Sequence, residues 1–446
     1  IERDLVYGLI DRSTKAEWGS ADVKDAFFNI PVLPGDRRAT CYKVFDRFTA
    51  SDSLVFGAGP SPLIWGRYAA WMARSAQGLF DFKELLLQLY VDDPLWVTRG
   101  NDAQRRRNTV ILLLFWQAFA FPFSWSKSQT GPEAQWIGAT LRIINAGPKG
   151  RGVRVEVPEE KQEPLLQEVK TIRGSNVVGR RVLRKLAGQM SFIAGLVPHV
   201  RPFLSGLWAA IKEPIAAAGA VAPGRMRARS QHVVWTKQVD RCLRWILAFL
   251  EGTAGVPLVR VIHLVDLRFT GRFTASVDTS PWGIGGLLQD GTKVVAKFHD
   301  VVSAEDVEIL GVQTGNPKYQ TVLEGLAILV ALRIFGPRTT WKAGATVSMA
   351  VRSDSKGALG AAIKSGSTSD PLLNLVGQEI SFDQACGDYR VELWKHTPGV
   401  ANVGPDYLSR LHAPGLEGRG RAAVSYTHLR AHETLRYLVC RLLLEK

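Results

Sequence analysis

Acidic residues early in the chain are spaced so that they could hold divalent cations. Asp22 lies in residues 21–31, a stretch that predicts a strand ending in a turn. Asp92 and Asp93 stand between apolar runs, which predicts a tight β-hairpin with both acids at its tip. Gathered carboxylates repel one another and are tolerated around hard cations such as Mg²⁺, which prefer oxygen ligands. A plain turn is the alternative, since Asp is a common turn residue.

A second group of four acids lies downstream, each at the start or end of a predicted element. Asp278 ends a strand, Glu324 opens an apolar helix over 323–335, and Asp354 ends another strand. Asp406 lies near the end of the last such segment. Each acid alone could be a helix cap or a solvated strand end. As a set of four carboxylates they are candidate oxygen ligands for hard divalent cations.

Composition changes along the chain indicate the domains that must position these acids. Residues 1–150 are rich in aromatics and Gly/Pro turns, whereas 151–257 are basic and mostly helical, with helical apolar spacing in 182–193. Residues 258–412 alternate strands with helices, which is typical of an α/β domain. Residues 413–423 predict a Gly/Arg-rich linker. The sequence therefore predicts a multidomain α/β protein.

The charge balance favours a polyanionic partner. The 446 residues are 46% hydrophobic and 22% charged, which excludes disorder as the main state. The difference between 56 Lys+Arg and 41 Asp+Glu gives a net charge of +15, as in proteins that neutralise nucleic-acid phosphates. Ordinary basic solubility is the alternative reading. The four cysteines are scattered without a CxxC pair, which argues against a zinc site or disulfide framework and favours a reducing compartment.

Hydropathy argues against a membrane or secreted protein. No apolar run reaches the roughly 18–20 residues of a membrane span. The nearest, residues 109–123, contains Gln117 and predicts a buried helix. The first residues show no signal-peptide pattern. We therefore expect a cytoplasmic or nuclear location.

The first group of acids resembles the palm of a reverse transcriptase. Asp22 matches the first metal-binding aspartate of that family, and Tyr90-Val91-Asp92-Asp93 matches its YxDD box. The stretch 56–62, FGAGPSP, resembles the template-gripping turn, and residues 135–138, QWIG, resemble the primer grip. The resemblance implies a ferredoxin-like palm with Mg²⁺ or Mn²⁺ held by Asp22, Asp92 and Asp93.

The same resemblance assigns substrate contacts. Phe27 would be the aromatic gate that clashes with a ribose 2′-OH, which implies deoxynucleotide substrates; a core aromatic is the alternative. Lys127 resembles the lysine of the fourth palm motif. The implied substrate-binding residues are Phe27, Phe56, Gly57, Lys127, Trp136 and Gly138.

The palm motifs also depart from the retroviral pattern. Phe56 stands where retroviral enzymes carry Gln, as is usual in gypsy-like and DIRS-like elements. Only 21 residues precede Asp22, so the fingers, with their triphosphate-binding basic residues, are expected to be largely missing. The alternative expectation is therefore that this chain does not polymerise.

The second group of acids resembles ribonuclease H of retroelements in its D-E-D-D order. Asp278, Glu324, Asp354 and Asp406 would be its metal ligands, and residues 399–410 resemble the family's closing motif. Pro405 replaces the usual Ala there, which the first turn of a helix tolerates. His396, ten residues before Asp406, matches a mobile histidine that assists turnover.

The helical middle would then be the thumb and connection. Its basic residues, such as Arg180, Arg184 and Arg201, would grip the hybrid backbone. A solvated basic helix face is the alternative.

Taken together, the motifs resemble a retrotransposon Pol fragment, DIRS-like or gypsy-like, joining an RNA-directed DNA polymerase to ribonuclease H. Its implied partners are an RNA template, a DNA primer, their hybrid and dNTPs; the oligomeric state stays open. A non-catalytic nucleic-acid-binding relic, or ribonuclease H activity alone, are the alternatives. A free-standing cellular ribonuclease H would leave the palm motifs unexplained.

The C-terminal segment 424–446 reads as a translated sequencing adapter, with an index barcode over 434–437. A genuine amphipathic helix, with His428 and His432 as a metal-binding pair, is the alternative. Removing four basic and two acidic residues with this segment leaves a charge of +13, so the inference from charge is unaffected.

Overall fold

A computed structural model shows a mixed α/β, multidomain chain, as the sequence predicts. Its two compact units comprise residues 1–158 with 259–267, and residues 159–258 with 268–446. The described residues are 15–144, 151–212, 232–263, 273–302, 304–336, 347–364, 366–367, 370–386 and 389–415. The segment 424–446, with its two histidines, lies outside them. No helix in these ranges is long and apolar enough to cross a membrane.

Strands and helices occur in both units. The strands are β1 (Ala16–Ser20), β2 (Cys41–Val44), β3 (Arg47–Ala50), β4 (Leu85–Tyr90), β5 (Asp93–Arg99), β6 (Gln129–Gly131), β7 (Glu133–Trp136), β8 (Ala139–Ile144), β9 (Gly152–Glu156), β10 (Val177–Gly179), β11 (Val233–Trp235), β12 (Val259–His263), β13 (Phe273–Thr279), β14 (Gly283–Asp290), β15 (Lys293–Val301), β16 (Val347–Ser353) and β17 (Tyr389–His396). The helices are α1 (Ser61–Gln77), α2 (Asp102–Ala118), α3 (Glu159–Arg173), α4 (Arg180–Leu196), α5 (Ser205–Lys212), α6 (Thr236–Leu250), α7 (Ala304–Leu310), α8 (Gln320–Phe335), α9 (Lys356–Lys364), α10 (Pro371–Cys386) and α11 (Val403–Arg410).

The first unit contains two four-stranded antiparallel sheets, ordered β4-β5-β1-β6 and β12-β9-β8-β7. Helix α1 buries Trp65, Ala69, Met72 and Ala76, which recur at helical spacing on one face. These side chains share a core with Trp96 of β5. This packing holds the central hairpin, β4–β5, against the helices.

Two sequence predictions in this unit are wrong. Residues 21–31 are not a strand: β1 ends at Ser20, and the chain turns through a 3₁₀-helix, Ala26–Asn29, after Asp25 adopts a left-handed φ of 54°. The apolar stretch 109–123 is not one buried helix, because α2 ends at Ala118 and exposes more than half of Leu114.

The helical part of the second unit folds around the buried face of α4. Leu183, Leu186, Met190 and Ile193 are buried at helical spacing, whereas Val182 and Phe192 of the same apolar run are exposed. The 3₁₀-helix Pro198–Leu204 carries Phe203, whose ring contacts Phe382 of α10 at 5.2 Å. The helical segment thereby packs on the α/β part of the same unit.

A five-stranded sheet, ordered β15-β14-β13-β16-β17, forms the remainder of that unit. Its parallel strands, β13, β16 and β17, bring the ends of β13 and β16 side by side. Alternation along β13 sends Ala275 and Val277 into the core beside α8, whereas Asp278 faces α11. Helix α11 approaches closely because Gly285 has no side chain.

We predict that Gly285→Ala destabilises the second unit. An added Cβ would lie 2.6 Å from Leu408 Cβ and 2.8 Å from the Pro405 carbonyl oxygen, so α11 must shift. Overpacking of this kind costs about 1–3 kcal/mol, measurable by urea unfolding. The control is Gly188→Ala in α4, where the added methyl meets no atom within 4 Å. Equal stability of the two variants would contradict the close packing of α11.

We also predict an acid-dependent loss of stability from His199. Burial lowers the pKa of His199 to about 4, while its hydrogen bond to the Pro257 backbone opposes that shift. Between pH 6.5 and 4 the unfolded chain binds a proton that the folded chain does not. The free energy of unfolding therefore falls by about 3 kcal/mol as the pH drops through this window. His199→Gln should remove this component, and the exposed His232→Gln should retain it, in urea unfolding measured across that range.

Candidate active sites

The backbone places Asp22 beside the β4–β5 hairpin tip. The Ala21 amide donates to the Pro94 carbonyl at 3.3 Å, and the Val23 amide donates to the Asp92 carbonyl at 2.9 Å. These two bonds flank Asp22 on the chain. The predicted hairpin is confirmed, with Val91 and Asp92 as its two-residue turn.

Two indoles support this turn. Val91 has a φ of 55°, a left-handed conformation that a β-branched residue adopts at a cost of about 1–3 kcal/mol. Trp65 Nε1 donates to the Val91 carbonyl at 2.9 Å, and Trp136 Nε1 donates to the Asp93 carbonyl at 3.0 Å. The hairpin tip is therefore held from two separate elements.

Lys127 balances part of the negative charge. Its Nζ lies 2.9 Å from Asp22 Oδ2, and this bond raises the pKa of Lys127. Burial raises the pKa of Asp93, and the charges of Asp92 and Asp22 raise it further. The acids of this first group therefore interact electrostatically with one another, and the Lys127 ammonium offsets part of their negative charge.

Two of the predicted palm aromatics meet at one place. Phe27 is half-buried, and its ring packs edge-on against Phe56 at 4.9 Å between centroids.

Two of the predicted substrate-binding residues are turn glycines. Gly57 and Gly138 both have positive φ, 86° and 78°, consistent with turns that favour glycine. Ile137 and Gly138 form the two-residue turn between β7 and β8.

The second group forms a closer cluster of carboxylates. Asp278 and Glu324 are buried and Asp354 is half-buried, and one oxygen of each lies within 4.8 Å of the others. Among the described residues, Asp22, Asp92 and Asp93 do not approach one another in this way. Hard oxygen donors at this separation are suited to a divalent cation such as Mg²⁺.

Electrostatics support that reading. Burial, followed by the charges of Glu324, Asp354 and Asp406, raises the pKa of Asp278 to about 8. Burial, with a smaller contribution from Asp354, raises the pKa of Glu324 to about 7. A bound divalent cation would favour the charged forms that burial opposes.

The fourth acid, Asp406, lies outside this cluster. Its Oδ1 accepts from Arg410 Nε at 2.7 Å, one helical turn further along α11. The same helix reaches Asp278 through Ser409, whose hydroxyl donates to Asp278 Oδ2 at 3.2 Å. Asp406 therefore influences Asp278 through charge, while Arg410 holds its carboxylate.

His396 lies next to the cluster rather than in it. Its Nε2 is 3.0 Å from the Asp354 carbonyl oxygen, and the side chain is exposed. Gly399 is also close, since a Cβ there would lie 3.2 Å from Asp354 Oδ2. The segment after β17 thus borders the carboxylates.

Comparisons with known proteins agree with the motifs of the first unit. Residues 7–141 match the family model for reverse transcriptase (RNA-dependent DNA polymerase). No curated protein matches significantly. This segment of the chain is therefore similar to the reverse transcriptase family.

Solved structures of a foamy viral protease-reverse transcriptase are similar over most of the chain. The form named dRH, in complex with dsDNA, gives a TM-score of 0.40 at 13% identity, covering 85% of this chain and 56% of that one. The complex with RNA/DNA hybrid gives 0.39 at 13%, covering 85% and 44%. A further dsDNA complex gives 0.40 at 14%, covering 86% and 68%. The chain thus spans about half the length of the first two.

Sequence reasoning did not identify Trp65 as a support of the hairpin. We predict that Trp65→Phe lowers the free energy of unfolding by about 1–3 kcal/mol, because the Val91 carbonyl loses its buried donor. Hydrogen exchange of the amides at 91–93 should also accelerate. The matched control is Trp18→Phe, since the buried Trp18 Nε1 has no hydrogen-bond partner in the described chain. Equal losses in both variants would reduce the role of Trp65 to packing.

Proposed function

We propose that this chain is part of a retrotransposon Pol protein that copies RNA into DNA and degrades the RNA strand of the hybrid. The observation that carries the proposal is the clustering of Asp278, Glu324 and Asp354, in a chain whose other unit matches the reverse transcriptase model. A segment similar to reverse transcriptases, joined to a carboxylate cluster that could hold a cation, fits an enzyme with two phosphoryl-transfer activities.

In the polymerase half, Asp22 and Asp92 would hold the cations and Asp93 would support them. Divalent cations supply activation of the primer 3′-oxygen and stabilisation of the leaving pyrophosphate. Lys127 keeps a positive charge beside these acids. Phe27, backed by Phe56, would exclude a ribose 2′-OH and so select deoxynucleotides.

In the ribonuclease half, Asp278, Glu324 and Asp354 would hold the cations, with Asp406 as a fourth ligand once released from Arg410. The ions, Mg²⁺ or Mn²⁺, supply an activated water and stabilise the departing 3′-oxygen. Ser409 orients Asp278 through its hydroxyl. His396, exposed beside Asp354, is suited to moving a proton at the product end of the reaction.

A basic cavity of about 800 Å³ supports nucleic acid as the partner. Its lining includes three basic residues, Arg201 of the helical segment and Lys356 and Lys364 of α9, and one acidic residue, Asp370. Helix α9 begins two residues after Asp354. The excess of basic side chains in this cavity could hold phosphates of an RNA–DNA hybrid.

Ribonuclease activity without polymerisation is the second candidate. It is favoured by the difference between the two groups of acids, since only the second brings three carboxylates within 4.8 Å among the described residues. A non-catalytic nucleic-acid-binding relic would keep the basic cavity without turnover.

The two activities should separate by mutation. We predict that Asp92→Asn reduces primer extension by more than about 100-fold and spares RNA cleavage, whereas Asp278→Asn does the reverse. Mutating a group that only hydrogen-bonds to a metal ligand typically lowers metal affinity or activity by about 10- to 100-fold. Loss of a direct ligand should lower activity by more than that. The measurement is a two-colour gel with a labelled DNA primer on a labelled RNA template, dNTPs and Mg²⁺, with EDTA as control.

Each result of that gel supports a different candidate function. RNA cleavage with primer extension supports the bifunctional enzyme, and cleavage alone supports the ribonuclease. Folded protein that binds hybrid without turning it over would support the relic. Loss of both activities in a folded single variant would overturn the assignment of two sites.

A further inference from the structure

Thr279 follows Asp278 on β13 and faces the opposite side of the sheet. Because neighbouring strand residues alternate, Asp278 points to α11 and Thr279 to α8. The Thr279 hydroxyl donates to Glu324 Oε1 at 2.9 Å, and both side chains are buried. One strand end thus supplies a carboxylate to the cluster and a hydroxyl to a second carboxylate of the same cluster.

Gln320 joins this contact from one helical turn before Glu324. Its Nε2 lies 2.6 Å from the Thr279 carbonyl oxygen, 2.8 Å from Thr279 Oγ1 and 3.2 Å from Glu324 Oε1. An amide at this position can hold the hydroxyl as an acceptor, so that the hydroxyl hydrogen is directed at Glu324.

The two oxygens of Glu324 are therefore held unequally. Oε1 has two donors, at 2.9 and 3.2 Å, whereas Oε2 has the Ser353 hydroxyl at 3.4 Å. The β-branched Thr279 has few side-chain rotamers, so its hydroxyl is a rigid donor. All of these donors are neutral and leave the negative charge of Glu324 available to a cation.

We propose that Thr279 and Gln320 are positioning residues that hold Glu324 through Oε1 and so present Oε2 to a divalent cation shared with Asp278 and Asp354. The inference rests on the proposed ribonuclease function for its biological use. The hydrogen bonds from Thr279 and Gln320 to Glu324 form a relay. This relay is a property of the cation site, so its effect on cation affinity can be measured without turnover.

The first test is cation binding to the full-length chain carrying Asp92→Asn, which weakens the other group of acids. Mn²⁺ is titrated and the free ion is followed by electron paramagnetic resonance. Thr279→Val, which removes the hydroxyl at constant shape, should weaken Mn²⁺ binding by about 10- to 100-fold, as loss of a group that orients a metal ligand typically does. Thr279→Ser should restore it. Thr274→Val on the same strand is the matched control and should bind as the parent does.

The second test is hybrid cleavage as a function of Mg²⁺. Thr279→Val and Gln320→Met should raise the Mg²⁺ concentration for half-maximal rate and leave KM for the hybrid unchanged. A purely structural role would lower Tm and the rate at every Mg²⁺ concentration, without shifting the half-maximal point. A raised hybrid KM with unchanged metal dependence would make Gln320 a substrate contact instead.

The outcomes separate the relay from the function. Unchanged Mn²⁺ affinity in folded Thr279→Val overturns the relay, whatever the activity. If the parent chain cleaves no hybrid, the ribonuclease proposal fails, and the Mn²⁺ titration still decides whether Thr279 and Gln320 position Glu324.

Discussion

Repulsion between gathered carboxylates is the constraint on which the candidate sites depend. In the second unit, Asp278, Glu324 and Asp354 are brought within 4.8 Å of one another in a largely buried setting. Burial, and after it the charge of neighbouring acids, raises the pKa of Asp278 and of Glu324. A cluster of this kind is stable when protons or cations reduce its charge. In the first unit, Lys127 bonds to Asp22 and performs that neutralisation within the chain. The two groups therefore meet the same constraint in different ways.

Hydrogen bonds from other elements hold the acids, through the backbone in the first unit and through the carboxylates in the second. In the first unit, Trp65 and Trp136 bond to carbonyls of the hairpin tip, where Val91 adopts a costly left-handed conformation. In the second, Ser409 fixes Asp278 and Thr279 fixes Glu324 from opposite faces of one strand. Rigid supports of this sort keep ligand geometry when charges would otherwise push the side chains apart.

The supports differ in what they leave for a cation. The neutral donors around Glu324 bond to its carboxylate without cancelling its charge, so the site remains attractive to a metal ion. By contrast, the Lys127 and Arg410 ion pairs occupy Asp22 and Asp406 with positive side chains. A cation that binds those two acids must displace or share a charged partner. This difference separates Glu324, whose donors are neutral, from Asp22 and Asp406, whose carboxylates are paired with positive side chains.

The sequence by itself determined which residues could do chemistry and the elements that carry most of them. Apolar runs around Asp92 and Asp93 predicted the hairpin, and alternation of strands with helices predicted the α/β part that holds Asp278, Glu324 and Asp354. The predicted strand in residues 21–31 and the predicted buried helix over 109–123 were wrong, and in both stretches a left-handed residue, Asp25 or Ala120, changes the chain direction. Only the tertiary structure decided that Trp65 bonds to Val91, that Thr279 bonds to Glu324 and that Arg410 holds Asp406 outside the cluster. The first two contacts join residues that are 26 and 45 positions apart, which no local pattern encodes. In the third, Asp406 pairs with Arg410 instead of joining the other carboxylates, and that outcome depends on where the folded chain places each charge.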